Sequence, residues 1–266
     1  FMNKLAIVSS KKYLKSKQAV EFVEYLDKQK ISYEKLILED TRYKNASKDT
    51  FDLVISIGGD GTALKAMKLG WINSVPVLNL GSGRVGYLVN SFENIKVNKL
   101  VTSDLNNFKT RVPIIQNDDE GEPAFNEIVI IKNSPTRMLD IRLETYNQEV
   151  KLRADGIIIS TSMGSTAYNY SAGGPIVQTS IESLIITPIS PFTKFPRSIV
   201  LDKDSEIKIT VSKNQEFSIQ FDGTELRQCN ETEDLTFTYK LSSNHLNILE
   251  ESNNPKLDHF LNQILR

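Results

Sequence analysis

The tightest constraint on this chain is one junction where a strand pattern gives way to a helix pattern. Leu53-Val54-Ile55, flanked by Asp52 and Ser56, is a compact apolar run with β-branched residues. It reads as a buried strand of about four to six residues. Ala63-Leu64-Lys65-Ala66-Met67-Lys68 further on is good helix-forming sequence. Between them lies Ile57-Gly58-Gly59-Asp60-Gly61-Thr62, with three glycines and one carboxylate at the turn. Glycines there allow positive φ and let a ligand approach the backbone closely. The N–H groups that open a helix favour a phosphate. An aspartate in the same turn repels phosphate unless a metal ion stands between them or the acid is there to take a proton. Strand, glycine turn, acid and helix together point to phosphoryl transfer. Taken alone, the same residues also fit a tight strand-to-helix turn with an aspartate cap.

The flanking sequence sets this junction in an α/β domain. Leu5-Ala6-Ile7-Val8 reads as a first strand, and Ala19, Phe22, Val23 and Leu26 follow the spacing of an amphipathic helix. Tyr33 to Leu38 and Val75 to Leu80 read as further strands, and Asp40 to Thr50 as loop. Strands alternating with helices predict a parallel, Rossmann-like sheet, with ligands beyond the carboxyl ends of its strands. Asp60 falls at that edge, as does the loop Gly81-Ser82-Gly83-Arg84-Val85-Gly86-Tyr87-Leu88. The loop fits G-x-G-x-x-G but follows a late strand, so alone it is a weak dinucleotide signal. It reads equally as a connector. Arg84 is placed to pair with a phosphate or to be solvated.

From Phe125 onward the period is mostly two. Leu139, Ile141 and Leu143 alternate with polar residues, as do Ile207, Ile209 and Val211, then Phe217, Ile219 and Phe221, then Leu235, Phe237, Tyr239 and Leu241. This predicts an antiparallel β-sandwich. Asn106 to Glu122 is polar, and Asp118-Asp119-Glu120-Gly121 reads as a solvated hairpin tip. Leu257, Phe260, Leu261 and Ile264 share one face of an expected C-terminal helix that packs back on the first domain. The predicted division is residues 2–100, an α/β domain, 101–250, a β-sandwich domain, and 251–266, the returning helix.

Two stretches interrupt the period. Asn126-Glu127 opens a strand with an amide beside a carboxylate, donors and acceptors suited to an adenine edge or a ribose diol. Arg153-Ala154-Asp155-Gly156 leads through Ile157-Ile158-Ile159 into Ser160 to Ile176, rich in hydroxyl, small and glycine residues. Apolar burial does not account for such a run. A surface shaped around a polar ligand does, with Tyr168 offering a flat face to an adenine. A strand-end polar pair and a sandwich loop are the plainer readings of these two stretches.

Composition narrows the partners. The formal net charge of -1 gives no basic field for nucleic acid. One cysteine and two histidines argue against a disulfide, a cysteine zinc site or a histidine metal centre. No apolar run approaches the ~20 residues that span a bilayer. With no signal-like start, a cytoplasmic location without membrane partners is expected.

Five blocks, in order, resemble the NAD kinase family. They are Gly58 to Thr62, Asn79 to Leu88, Asn126-Glu127, Asp155 to Val177, and Pro188 to Leu201; Phe221-Asp222-Gly223 is a weaker sixth. Together they run over most of residues 52–223. The glycine-aspartate turn is shared with lipid kinases and phosphofructokinases, whereas the long block is specific.

The resemblance implies a Rossmann-like domain followed by a β-sandwich domain, and a homodimer or homotetramer with sites shared between subunits. It implies Mg²⁺-dependent transfer of a phosphoryl group from ATP or polyphosphate to the adenosine ribose 2′-hydroxyl of NAD, giving NADP. By the same resemblance, Asp60 matches the catalytic aspartate. Gly58, Gly59, Gly61, Thr62 and Arg84 fall on the donor side. Asn126, Glu127, Asp155, Thr166, Ala167, Tyr168 and Ser171 match dinucleotide positions, with Asp155 and Tyr168 partly serving a neighbouring subunit. Arg153 matches a position that meets the new 2′-phosphate, and Asp222 a further site-facing acid. The chain departs from the family pattern at Thr161-Ser162-Met163-Gly164, where Thr-Pro-Thr-Gly is usual. It also carries Phe192 where histidine is common and Tyr87 where phenylalanine is. A lipid kinase would need an apolar entry surface, which the hydroxyl-rich block argues against. A non-catalytic NAD(P) sensor would have no use for Asp60.

Overall fold

The computed structural model describes residues 4–40, 43, 51–81, 87–92, 109–112, 115–117, 123–146, 148–192 and 194–249. In chain order the first elements are β1 (Leu5–Ser9), α1 (Lys17–Lys28), β2 (Tyr33–Ile37), β3 (Leu53–Gly58), α2 (Asp60–Asn73), β4 (Val77–Gly81), β5 (Asn90–Ser91) and β6 (Lys109–Val112). There follow β7 (Ile115–Asn117), β8 (Glu127–Lys132), β9 (Leu139–Thr145), β10 (Gln148–Ala154), β11 (Gly156–Thr161), a 3₁₀ turn (Met163–Thr166) and the single-turn α3 (Tyr168–Ser171). The chain continues through β12 (Ser183–Ile189), β13 (Ile199–Asp202), β14 (Glu206–Val211), β15 (Phe217–Phe221), β16 (Thr224–Cys229), β17 (Leu235–Leu241) and β18 (Leu246–Leu249). Residues up to Arg111 together with those from Leu246 form one compact unit, and Val112–His245 the other.

The first unit is the expected α/β layer. Its sheet runs β2-β1-β3-β4-β18-β6, with β5 beside β4. The pairs among β2, β1, β3, β4, β5 and β18 are parallel. All of β3 is buried, as a strand covered on both faces must be. Ser16 caps α1 by accepting the Ala19 N–H at 3.3 Å, and Ala19, Phe22 and Leu26 pack on Leu5, Ile7, Leu53 and Ile55. Because β2 and β3 lie on opposite sides of β1, the connections diverge between β1 and β3 and leave a crevice at their carboxyl ends.

The second unit is an antiparallel sandwich. One sheet runs β10-β9-β14-β17-β7 and the other β13-β12-β11-β8-β15-β16. Alternate residues point inward: Leu139, Ile141, Leu143, Ile207, Ile209, Phe237 and Tyr239 from one sheet meet Ile128, Ile130, Ile157, Ile159, Phe217 and Ile219 from the other. The period-two segments are therefore the core strands. Lys109–Val112 and Ile115–Asn117 are also strands, although their stretch reads as polar. The hairpin tip expected at 118–121, the C-terminal helix and the boundaries expected after 100 and 250 lie outside the described residues.

Candidate functional site

The glycine turn sits at the carboxyl end of β3, beside the crevice. Ser9 Oγ donates to the Ile57 carbonyl at 2.6 Å, tying β1 to β3 at this point. Gly59 is extended and caps α2, and its carbonyl accepts the N–H groups of Thr62 and Ala63. Gly58 pairs with Gly81 in register, so the turn after β3 and the loop after β4 start side by side. The half-buried Asp60 joins them. Its Oδ1 accepts the Leu88 N–H at 2.9 Å and its Oδ2 the Tyr87 N–H at 3.0 Å. Each oxygen keeps a second lone pair for a proton or a cation. At the head of α2 the carboxylate also lies in the favourable field of the helix dipole.

The three glycines differ in what their hydrogens leave room for, and none has positive φ, unlike the expectation from sequence. A methyl on Gly58 would lie 2.5 Å from Thr62 Oγ1, so that glycine lets the buried Thr62 pack under the turn. A methyl on Gly59 would find only Tyr13 Oη, at 4.0 Å, and one on Gly61 nothing within 4 Å. The fold does not require Gly59 and Gly61, and the open space beside them suits a ligand lying on the backbone. Arg84 lies outside the described residues.

In the second unit, Asn126 immediately precedes β8 and Glu127 opens it, on a platform built by the hydroxyl-rich block. The Asn126 carbonyl accepts from the Thr161 N–H at 2.9 Å and from Ser160 Oγ at 3.1 Å. Thr161 Oγ1 donates to the Phe125 carbonyl at 2.6 Å and accepts the Gly164 N–H at 3.0 Å. A methyl on Gly164 would overlap the Asn126 carbonyl. The Glu127 side chain is 5 % exposed; it accepts the Tyr168 N–H, and its Oε2 is buried without a hydrogen-bond partner. Burial first, and then the Asp222 carboxylate, push its pKa up to about 8, against the pull of the Tyr168 N–H.

Asp222 belongs to the hairpin turn between β15 and β16. Both Asp222 (φ 49°) and Gly223 (φ 75°) are left-handed, as a two-residue type I′ turn requires. The carboxylate folds back to accept three successive N–H groups, from Phe125 (2.9 Å to Oδ2), Asn126 (2.7 Å to Oδ1) and Glu127 (3.2 Å to Oδ1).

The block from Ser160 onward divides into an inner and an outer set. Ser160, Thr161, Ser162, Ser165 and Asn169 have no exposed surface. Ser165 Oγ bonds both the carbonyl and the N–H of Val177, each at 3.1 Å. The Asn169 amide donates to the carbonyls of Ser165 and Pro175 and accepts from Thr187 Oγ1 at 2.7 Å. Ser165 and Asn169 hold the loop to itself, Ser160 and Thr161 tie it to Phe125 and Asn126, and Ser162 Oγ is buried without a hydrogen-bond partner. Sequence reading missed this: the four bonded side chains look like ligand groups and act as scaffold. Thr166 and Ala167 are half-buried, and Tyr168 and Ser171 exposed, on the outside of the same loop.

Arg153 and Asp155 lie elsewhere. Asp155 pairs with Lys132 Nζ at 2.6 Å, at the far end of the β8–β11 pair from Glu127. Lys132 is five strand steps from Glu127, about 17 Å. The Arg153 guanidinium pairs with Asp140 at 2.9 Å. It lines an open polar cleft of about 790 Å³ with Arg137, Lys213, Gln215 and the exposed Phe192. Among the described residues no group of three or more His, Cys, Asp or Glu is gathered to hold a metal ion, and no helix is long and apolar enough to cross a membrane.

Two family models match the chain, the ATP-NAD kinase N-terminal domain over residues 6–105 and the ATP-NAD kinase C-terminal domain over 125–248. The NAD kinase of Methanopyrus kandleri is 36% identical over 192 residues, 70% of this chain and 69% of that protein. The NAD kinase of Methanothermobacter thermautotrophicus is 34% identical over 204 residues, 75% of this chain and 70% of that protein. In fold, the chain is similar to a crystal structure of an NAD kinase from Archaeoglobus fulgidus in complex with ATP. The TM-score is 0.77 at 24% identity, with 98% of both chains covered. Yeast NADH kinase complexed with NADH gives a TM-score of 0.77 at 20% identity, covering 99% of this chain and 87% of that one.

Proposed function

Because this chain belongs to the NAD kinase family of enzymes, we propose that it moves the terminal phosphoryl group of ATP onto the adenosine ribose 2′-hydroxyl of NAD. The bond between the terminal phosphorus and its bridging oxygen breaks, and ADP leaves with the electron pair. A new bond forms from phosphorus to the 2′-oxygen, whose proton passes to Asp60. The observation that carries this reading is the Asp60 carboxylate, fixed at both oxygens by backbone N–H groups between two glycines with open space beside them. A secondary hydroxyl is a poor nucleophile at neutral pH, and proton acceptance of this kind contributes roughly 10²–10⁴-fold.

The donor phosphates rest against Gly59, Gly61 and the first N–H groups of α2, with Arg84 as a further phosphate ligand. Gly58 and Thr62 set the shape of that turn. A lone carboxylate suits Mg²⁺, which is commonly held by one or two carboxylates and the substrate phosphates, and which would neutralise charge on the transferring group. Asn126 and Glu127 take the adenosine, with Thr166, Ala167, Tyr168 and Ser171 lining the same side. The distance from Glu127 to Asp155 and Arg153 supports a site completed by a second copy of the chain in a homo-oligomer. There Asp155 would serve the neighbour's adenine and Arg153, released from Asp140, the 2′-phosphate.

The test is NADP formation by the purified protein with NAD, Mg²⁺ and ATP, repeated with polyphosphate. Turnover that disappears in Asp60→Asn supports the reading and names the donor. No turnover with either donor, but tight NADP binding, would make the protein a sensor instead.

A further inference from the structure

Asp222 occupies a position that a ligand-contacting acid would not need. Its residue adopts left-handed backbone at φ 49°, uncommon for a residue with a side chain. Its carboxylate is aimed at the chain, taking N–H groups from Phe125, Asn126 and Glu127 in succession. The Asp222 N–H returns a bond to the Glu127 carbonyl at 3.0 Å, so the turn and the strand end are locked in both directions. Glu127 is the next acid along. One of its oxygens takes the Tyr168 N–H, and the other is buried with no partner.

We propose that Asp222 is a positioning residue that acts through Glu127: it fixes the Phe125–Glu127 backbone, and its charge presents the buried Glu127 carboxyl to the dinucleotide as a neutral hydrogen-bond donor. The inference rests on the proposed dinucleotide site but changes the role of Asp222 within it, from contact to support. Two carboxylates sharing a buried corner do not both ionise readily, and Asp222 has the three N–H groups that favour its charged form. Glu127 is the member left to carry the proton. The groups that face it are the Asp222 carboxylate from the β15–β16 turn and the Tyr168 N–H from α3, with Ser160 opposite it on β11. A protonated carboxyl supplies one O–H donor and an acceptor. A ribose or adenine offers an acceptor to that O–H, which the protein leaves without a partner.

The test is the affinity for NAD, read by calorimetry across neutral and mildly alkaline pH, in the wild-type, Asp222→Asn and Glu127→Gln proteins. Asparagine tolerates the left-handed turn and keeps an acceptor, but removes the charge. The wild type shows a break in affinity where Glu127 titrates. Glu127→Gln, which cannot ionise, loses the break. Asp222→Asn weakens binding roughly tenfold through the lost charge-assisted bonds and moves the break to lower pH by about one unit as the neighbouring charge disappears. A purely structural role would weaken binding and leave the break in place. An unmoved break in Asp222→Asn, or a break that survives in Glu127→Gln, overturns the inference; the second arm decides it even if Asp222→Asn does not fold. Binding needs no turnover. A wild type that shows the break yet makes no NADP therefore defeats the kinase reading alone, and one that binds no NAD defeats both.

Discussion

Asp60 is bonded to the backbone of Leu88 at 2.9 Å, across the space between the carboxyl ends of two neighbouring strands. The acid that opens α2 is thus oriented by main-chain groups of the loop after β4, with the Tyr87 N–H on its other oxygen. Main-chain donors in the loop between β4 and β5 hold a carboxylate with less freedom than side-chain donors do. That arrangement leaves the remaining lone pairs facing a defined direction, which positional chemistry such as phosphoryl transfer requires.

Asp60→Asn separates this geometry from the charge. The amide accepts one N–H but sets its NH₂ against the other, so the variant loses about 1 kcal/mol of stability. Turnover falls roughly 10²–10⁴-fold, while NAD affinity is kept. Initial rates of NADP formation, calorimetric NAD titration and a thermal melt check the three parts. Wild-type turnover would remove Asp60 from the chemistry.

The glycines of the turn separate in the same way. Gly58→Ala drives a methyl to 2.5 Å from Thr62 Oγ1 and 2.8 Å from its Cβ. Threonine is stiff at χ1 and the strand end is buried, so about 1–3 kcal/mol of stability is lost. Thr62→Ala in the same chain restores part of it, a coupling that a double-mutant cycle measures. Gly61→Ala meets nothing and lies in a helix, so it gains up to about 1 kcal/mol. If the donor lies against this backbone, the methyl raises KM for ATP by roughly tenfold or more. A Gly61→Ala protein with unchanged KM would move the donor away from the turn.

Gly164→Ala should be among the most damaging single methyls in the second unit. The added carbon would overlap the carbonyl of Asn126, which is backbone and cannot swing aside. The cost is about 3 kcal/mol, and NAD affinity falls with it because Asn126 must shift. Gly173→Ala is the control. At φ +88° with open space around it, it carries about 1–2 kcal/mol of backbone strain and leaves NAD affinity unchanged. Chemical denaturation and NAD titration of the two variants test the contrast.

Much of this was legible in the sequence wherever the signal is local. Leu53 to Met67 announces strand, turn and helix because periodicity and glycines act over a few residues, and the alternation at Ile207, Ile209 and Val211 marks a strand with one buried face. The site was legible only in part. Ser160, Thr161, Ser165 and Asn169 carry polar groups that sequence cannot assign to ligand or to backbone, and they went to backbone. Thr166, Ala167 and Tyr168 kept the outward face. Asp222 hides more completely. Asp-Gly between strands is what a type I′ turn asks for, and the N–H groups that its carboxylate takes come from residues 95 to 97 positions earlier.

Stability should depend on pH through Glu127. Its pKa is about 8 in the folded protein, pushed up by burial and then by Asp222, against 4.5 as an ordinary side chain. Between these values the folded chain binds more protons than the unfolded chain, so stability falls as pH rises. The contribution is complete below about pH 4.5, is lost progressively toward about pH 8, and is flat above. At its steepest, one such group gives about 1.4 kcal/mol per pH unit. Urea unfolding at a series of pH values reads the slope, and Glu127→Gln removes its share because an amide holds no proton to release. If the wild type and Glu127→Gln show the same slope, Glu127 is ionised in the folded protein. The neutral donor at the proposed adenosine site would then have to be sought in Asn126 alone.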